Sequence, residues 1–170
     1  IMGAGAIGLL TSSLLHSYGF KDITIVDTNK YRLKIAKKSF KSKYLINENI
    51  NNKNINILKE YNYIFDLITD NGSFDYGVKS ASRGCKYIIL GIPEKFDYLS
   101  FNPHKSRIKE IDFINIRRSN VHFNKMQNLI IQKSIPIEKI VTHRFKLDDI
   151  QNGFNIASDY KDNIIRGIIY

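Results

Sequence analysis

The chain has one cysteine, Cys85, and three prolines among 170 residues, and no apolar run approaches the length of a bilayer span. A single thiol excludes an internal disulfide and leaves no cysteine cluster for a structural zinc. The four histidines, His16, His104, His122 and His143, do not stand at metal-ligand spacing either. No secretory leader is visible, since the N-terminus lacks a basic flank, so the expected setting is reducing and cytoplasmic. Ile1 is no initiator methionine, and a strand feeding a glycine turn usually supplies more than two residues. The expectation is a chain that lacks its true beginning. Acidic residues are also in short supply: the formal net charge is +10. The lysines and arginines are scattered among asparagine and isoleucine with no basic stripe between aromatics, which argues against a specific nucleic-acid partner.

What is present is concentrated at the start. Ile1-Met2-Gly3-Ala4-Gly5-Ala6-Ile7-Gly8 reads as the end of a buried strand, a glycine turn and the opening of a helix. The glycines stand in GxGxxG order. Gly3 suits a tight turn that a side chain would forbid, Gly5 lets backbone approach a pyrophosphate, and Gly8 lets helix pack closely on strand. Ala6 and Ile7 open the helix, whose free N–H groups and positive dipole end would face the phosphates.

Asp27 closes the β-branched run Ile23-Thr24-Ile25-Val26, 19 residues after Gly8. At that offset an acidic side chain reaches the ribose hydroxyls of bound NAD and repels a 2′-phosphate, so NAD is expected over NADP. The alternative is that Asp27 begins a turn with Thr28 and Asn29 and caps the next helix.

Further along, Ile7, Leu10, Leu14 and Leu15 repeat at helical spacing, and Gly19 is a natural C-cap. A second helix is predicted from Lys30 to Lys38, where Arg32 could lie over the adenine or simply face solvent. Short strands are predicted at Tyr44–Ile46, Tyr63–Ile68, Lys86–Leu90 and Ile111–Ile116, with helices over Phe74–Arg83 and Val121–Lys133. The Asn-rich stretch from Asn47 to Asn56 and the polar stretch from Pro93 to Lys109 read as loop. Cys85 reads as a small buried thiol. Parallel strands need crossover helices, so this alternation predicts an α/β fold with a Rossmann-type doubly wound parallel sheet. After Pro136 the pattern changes: Leu147, Ile150 and Phe154 suit a helix face, and Ile164 to Tyr170 wants to be a strand without an obvious partner.

Three blocks make the sequence resemble a family. They are Gly3 to Leu10 with Asp27 and Arg32; Phe65-Asp66 through Gly84 to Leu90-Gly91; and Val141-Thr142-His143-Arg144-Phe145 with Leu147-Asp148-Asp149-Ile150. Together they resemble the C-terminal half of the medium-chain, zinc-dependent alcohol and polyol dehydrogenases, the sorbitol and threonine dehydrogenase branch. The resemblance implies a cofactor domain over residues 1–136 and a segment, 137–170, returning to a catalytic domain that precedes Ile1. It implies that the zinc and its ligands lie in that preceding part, that His143 is structural, and that this chain contributes no catalytic residue. It implies Gly3, Gly5, Ala6, Ile7, Gly8, Asp27, Arg32, Thr69, Gly91 and Ile92 as cofactor-binding, an alcohol or polyol substrate, and a homo-oligomer paired through the sheet edge near Ile111–Ile116. Ser39-Phe40, Arg83 and Lys146 stand where the family has glycine, glycine and proline. The competing expectation is a non-catalytic nucleotide-binding module.

Overall fold

The computed structural model describes residues 1–40, 42, 44–46, 59–93, 99–118, 122–132, 135–159 and 161–170, with backbone alone for 44–46 and 162. The predicted Asn-rich loop, Asn47 to Asn56, lies wholly outside these residues.

Met2 lies at the centre of the sheet. It is bridged in parallel to Val26 on one side and Asp66 on the other. Val26 N–H donates to the Ile1 carbonyl at 3.0 Å and Met2 N–H to Phe65 at 2.8 Å. Around it lie β1 (Thr24–Val26), β2 (Tyr44–Ile46), β3 (Tyr61–Asp66), β4 (Ala81–Ile89) and β5 (Asp112–Asn115). All neighbours run parallel, in the order β2-β1-Met2-β3-β4-β5. The connections are α1 (Ala6–Ser17), α2 (Lys30–Phe40), α3 (Asn71–Ser80) and α4 (Pro103–Ile108). The chain builds outward from Met2 to β2, then returns beside Met2 to build β3, β4 and β5. The order therefore reverses between Met2 and β3, where an open parallel sheet leaves its crevice at the carboxyl ends of the strands.

Both faces of the sheet are covered, as period-2 alternation requires. Ile25 packs with Ala4, Leu9, Leu33, Ala36 and Phe40 beneath α1 and α2. Its neighbour Val26 packs on the opposite face with Phe74, Val78, Cys85 and Tyr87. The ring of Phe74 stacks on Phe113 at 5.3 Å. The Rossmann-type doubly wound sheet expected from the alternation is the fold found.

Several boundaries differ from expectation, each for a local reason. Strand β3 begins at Tyr61 and ends at Asp66 rather than Ile68, because the Asp66 carboxylate takes the N–H groups of Ile68 and Thr69 out of the ladder. Helix α3 starts at Asn71, three residues early, because Asp70 and Ser73 form a reciprocal capping box. The stretch after Pro93 is not all loop. Asn102 accepts the His104 N–H at 2.9 Å and Pro103 occupies the first turn, so six residues form α4. In α1 the buried core residue is Leu9, whereas Ile7 is 60% exposed. Ser39-Phe40, read as a departure at a glycine position, brings no strain: Phe40 is buried in the core and lacks positive φ. Arg83 likewise lacks positive φ, which at that turn belongs to Gly84 at +70°, and Lys146 at φ −72° keeps the backbone angle that proline would have. Arg83 instead pairs with Glu110 at 2.8 Å on the surface.

Beyond α5 (Phe123–Ile131), the last segment forms β6 (Val141–Phe145), α6 (Ile150–Ser158) and β7 (Arg166–Ile169). Strand β7 does have a partner, since it pairs in parallel with β6. Gly153 of α6 and Gly167 of β7 make room for Phe145: a Cβ on either would lie within 3.0 Å of its ring. Ile140 packs into the α1–α2 core, tying this segment to the sheet.

Candidate functional site

The glycine turn leaves Met2 with Gly3 at φ +96°, a left-handed conformation that suits glycine. Gly8 faces inward. A Cβ there would sit 1.9 Å from the Gly3 carbonyl oxygen, so only hydrogen lets α1 lie this close to the strand end. Gly5 is the opposite case, since a Cβ there would meet no atom within 4 Å. It is the N-cap of α1 and carries no side-chain cap. The turn is thus closed on the protein side and open on the outer side, beside the positive end of a helix. Ala6 and Ile7 form the first turn of that helix.

Asp27 lies at the carboxyl end of β1 and is bound from two directions. Its Oδ2 accepts the Ala4 N–H and its Oδ1 the Asn29 N–H, both at 2.7 Å. Helix α2 is capped by Asn29, whose Oδ1 accepts from Tyr31 and Arg32 at 2.9 and 3.2 Å. The capping role considered for Asp27 therefore falls to Asn29, a residue that the sequence reading placed only in the turn.

On the other side of the glycine turn, the 67–69 segment comes against Gly3: a Cβ on Gly3 would lie 3.5 Å from Ile68 Cγ1. Thr69 is buried, with φ +57° and an Oγ1 that has no hydrogen-bond partner among the described residues. A β-branched side chain in that region is an outlier in backbone terms. Gly91, just past β4, completes the row; its Cβ would fall 2.4 Å from Thr69 Oγ1 and 2.7 Å from the Leu67 carbonyl carbon. Ile92 follows, 77% exposed.

The fold thus brings Gly3, Gly5, Gly8 and Asp27 together at the end of β1, with Leu67 and Ile68 against Gly3 and with Thr69 and Gly91 packed on each other beyond them. Arg32 stands apart from this row. It lines a cavity of about 460 Å³ with Phe145, Phe154, Ile165 and Arg166, between α2 and the last segment. Arg166 was not anticipated; its signal was a basic residue inside an apolar terminal strand. Asp66, also absent from the predicted set, is fully buried beneath Thr69. The only hint was one acid closing the run Tyr63-Ile64-Phe65.

Cys85 and His143 sit in packed surroundings. Burial pushes the Cys85 thiol up to about 11, well away from a nucleophile. His143 stacks on Phe145 and shares a hydrogen bond with Thr142 Oγ1 at 3.0 Å. Among the described residues, no three of His, Cys, Asp and Glu come together as a metal site. No helix among them is long and apolar enough to cross a membrane.

No protein-family model matches the chain. It is 28% identical over 160 residues to an L-threonine 3-dehydrogenase of Vibrio cholerae serotype O1, covering 92% of this chain and 46% of that protein. The L-threonine 3-dehydrogenase of Shewanella baltica is also 28% identical, over 91% of this chain and 46% of its own length. The chain thus spans about half the length of the curated relatives it matches. In fold it is similar to an alcohol dehydrogenase of Escherichia coli CFT073 complexed with NADH, with a TM-score of 0.87 at 19% identity over 99% of this chain and 50% of that one. It is similar too to the 2R,3R-butanediol dehydrogenase of Bacillus subtilis, with a TM-score of 0.85 at 20% identity over 99% and 49%. The chain is thus similar in sequence to L-threonine 3-dehydrogenases and in fold to alcohol and polyol dehydrogenases, over about half the length of each.

Proposed function

We propose that this chain is the NAD-binding part of a dehydrogenase that moves a hydride between a secondary alcohol, in the alcohol, polyol or amino-alcohol class, and NAD. The observation that carries the reading is Asp27, a carboxylate held at the end of β1 by the N–H of Ala4 within the glycine turn. A dinucleotide fits this arrangement. Its pyrophosphate meets the open face of Gly5 and the first turn of α1 at Ala6 and Ile7, and its adenosine ribose meets Asp27. Arg32, in the first turn of α2, stands farther out on the adenosine side, toward the last segment, and Thr69, Gly91 and Ile92 line the way to the nicotinamide. When bound, NAD supplies the hydride acceptor that no side chain can provide. The chain's own residues bind the phosphates, select against a 2′-phosphate through the Asp27 charge, and orient the ring.

The metal belongs to another part of the protein in this reading. The described residues offer no donor set for zinc, and no step of the reaction is assigned to them. Residues 1–136 then form the cofactor domain, and 137–170 form a return segment shared with a catalytic domain. The exposed edge of the sheet at β5 is the place for pairing between subunits. The single buried thiol suits a reducing cytoplasm.

Titration of the natural full-length protein with NADH and NADPH tests the proposal. Expected are a mass well above the 19.7 kDa of this chain, saturable NADH binding in the micromolar range (about 1–100 μM) and weaker NADPH binding. An absence of NADH binding, or a preference for NADPH, would overturn it.

A further inference from the structure

Asp66 is fully buried, yet it uses every acceptor oxygen it has. Its Oδ1 accepts the N–H of Ile68 at 3.0 Å and of Thr69 at 2.9 Å. Its Oδ2 accepts the Tyr87 hydroxyl at 2.8 Å and the Ser73 hydroxyl at 3.0 Å. Its backbone carbonyl accepts from Leu90 at 2.8 Å and from Gly91 at 3.0 Å. One residue therefore joins the end of β3, the turn at 68–69, the first turn of α3, and the end of β4.

The two segments it joins are the two that meet at Thr69 and Gly91. By taking the Thr69 N–H, the carboxylate holds that residue at φ +57°, and by taking the Gly91 N–H, the carbonyl holds the glycine against it. The anchor itself is rigid. The Tyr87 ring is buried among Phe74 and Phe113, at 5.0 and 5.5 Å. Burial, and then the Asp66 charge, keep the Tyr87 phenol far above the ordinary range, so it stays a donor at any working pH. The other end of the crevice is fixed separately, by Asp27 on Ala4.

We infer that Asp66 is a positioning residue for the nicotinamide half of the cleft, holding Thr69 and Gly91 in register through buried hydrogen bonds while leaving the adenosine half to Asp27. The inference rests on the NAD reading above. A buried charge with all its partners supplied is a costly way to close a strand. It is repaid where two loops must be held to a fraction of an ångström.

The test compares NADH with ADP-ribose, which has the adenosine and pyrophosphate but no nicotinamide, by calorimetry on the full chain. For Asp66→Ala and for Tyr87→Phe, NADH binding is expected to weaken about tenfold while ADP-ribose binding stays within about twofold of wild type. Asp66→Asn keeps an acceptor for the two N–H groups and is expected to recover most of the NADH affinity. Where Asp66→Ala does not fold, Tyr87→Phe carries the comparison, since it keeps the buried ring. Equal weakening of both ligands, or no change in a folded variant, would overturn the positioning role. If the wild-type chain binds ADP-ribose and NADH not at all, the NAD reading itself falls, and this inference with it.

Discussion

The Asp27 carboxylate and the Ala4 amide meet at 2.7 Å. This contact joins the end of β1 to the middle of the glycine turn, so the proposed ribose and phosphate sites share one hydrogen-bonded unit. A charged acceptor of two N–H groups contributes about 1.5–3 kcal/mol per bond when well formed. Asp27→Ala is therefore expected to weaken NADH binding at least about tenfold, and to reduce the discrimination against NADPH, since the charge that repels the 2′-phosphate is gone. Fluorescence titration with both reduced cofactors reads this directly. Unchanged affinity and selectivity would remove Asp27 from the site.

Gly8 and Gly5 separate folding from binding. Gly8→Ala forces a Cβ to within 1.9 Å of the Gly3 carbonyl oxygen, which is backbone and cannot swing aside. A loss of about 2–3 kcal/mol in unfolding free energy is expected from such overpacking. Gly5→Ala meets open space and should cost about 1 kcal/mol or less in stability. It should nevertheless obstruct the pyrophosphate and weaken NADH. Denaturant midpoints beside NADH titrations distinguish the two.

Thr69 carries strain that glycine would not. Its φ of +57° disfavours a β-branched side chain, and its buried Oγ1 has no partner among the described residues. Thr69→Gly is expected to stabilise the fold by about 1 kcal/mol. A higher melting temperature would show this. A fall would mean that packing of the methyl group outweighs the backbone term.

Cys85 and Tyr87 make stability fall at alkaline pH. Both titrate above their ordinary values in the fold, the thiol at about 11 against 9.0. Once the pH exceeds about 9, the unfolded chain gives up the thiol proton and the folded one keeps it, so rising pH favours unfolding. The contribution is complete below pH 9 and is lost through 11. Melting temperature measured from pH 7 to 10.5 should decline above about 9, and Cys85→Ala should make that decline shallower. The same burial predicts that a thiol reagent labels Cys85 only on unfolding.

Much of the cofactor end was legible because its information is local. Gly3, Gly5 and Gly8 are constrained by one turn, and Asp27 follows one helix and one strand later, a fixed distance in a crossover unit. Asp66 was not legible in the same way. Its side-chain partners are Ile68, Thr69, Ser73 and Tyr87, and the last of these comes from the neighbouring strand. Helical spacing set Ile7 in a row with Leu10, Leu14 and Leu15, but in the first turn of α1 it is exposed, and Leu9 fills the core. The terminal strand had no visible partner because β6 and β7 are separated by a helix and carry no pairing signal beyond β-branched content.

The sequence by itself determined the parallel α/β alternation, the glycine turn and the acidic residue in register with it, because each follows from backbone sterics or from a short, regular crossover. Tertiary structure alone decided which residues share the crevice. It set Thr69 against Gly91, gave the helix cap to Asn29, moved Arg32 toward the last segment, and placed a fully satisfied carboxylate under the strand ends. The reason is that buried polar groups take their hydrogen bonds from whatever element the fold brings near, and that neighbour is not encoded by spacing along the chain.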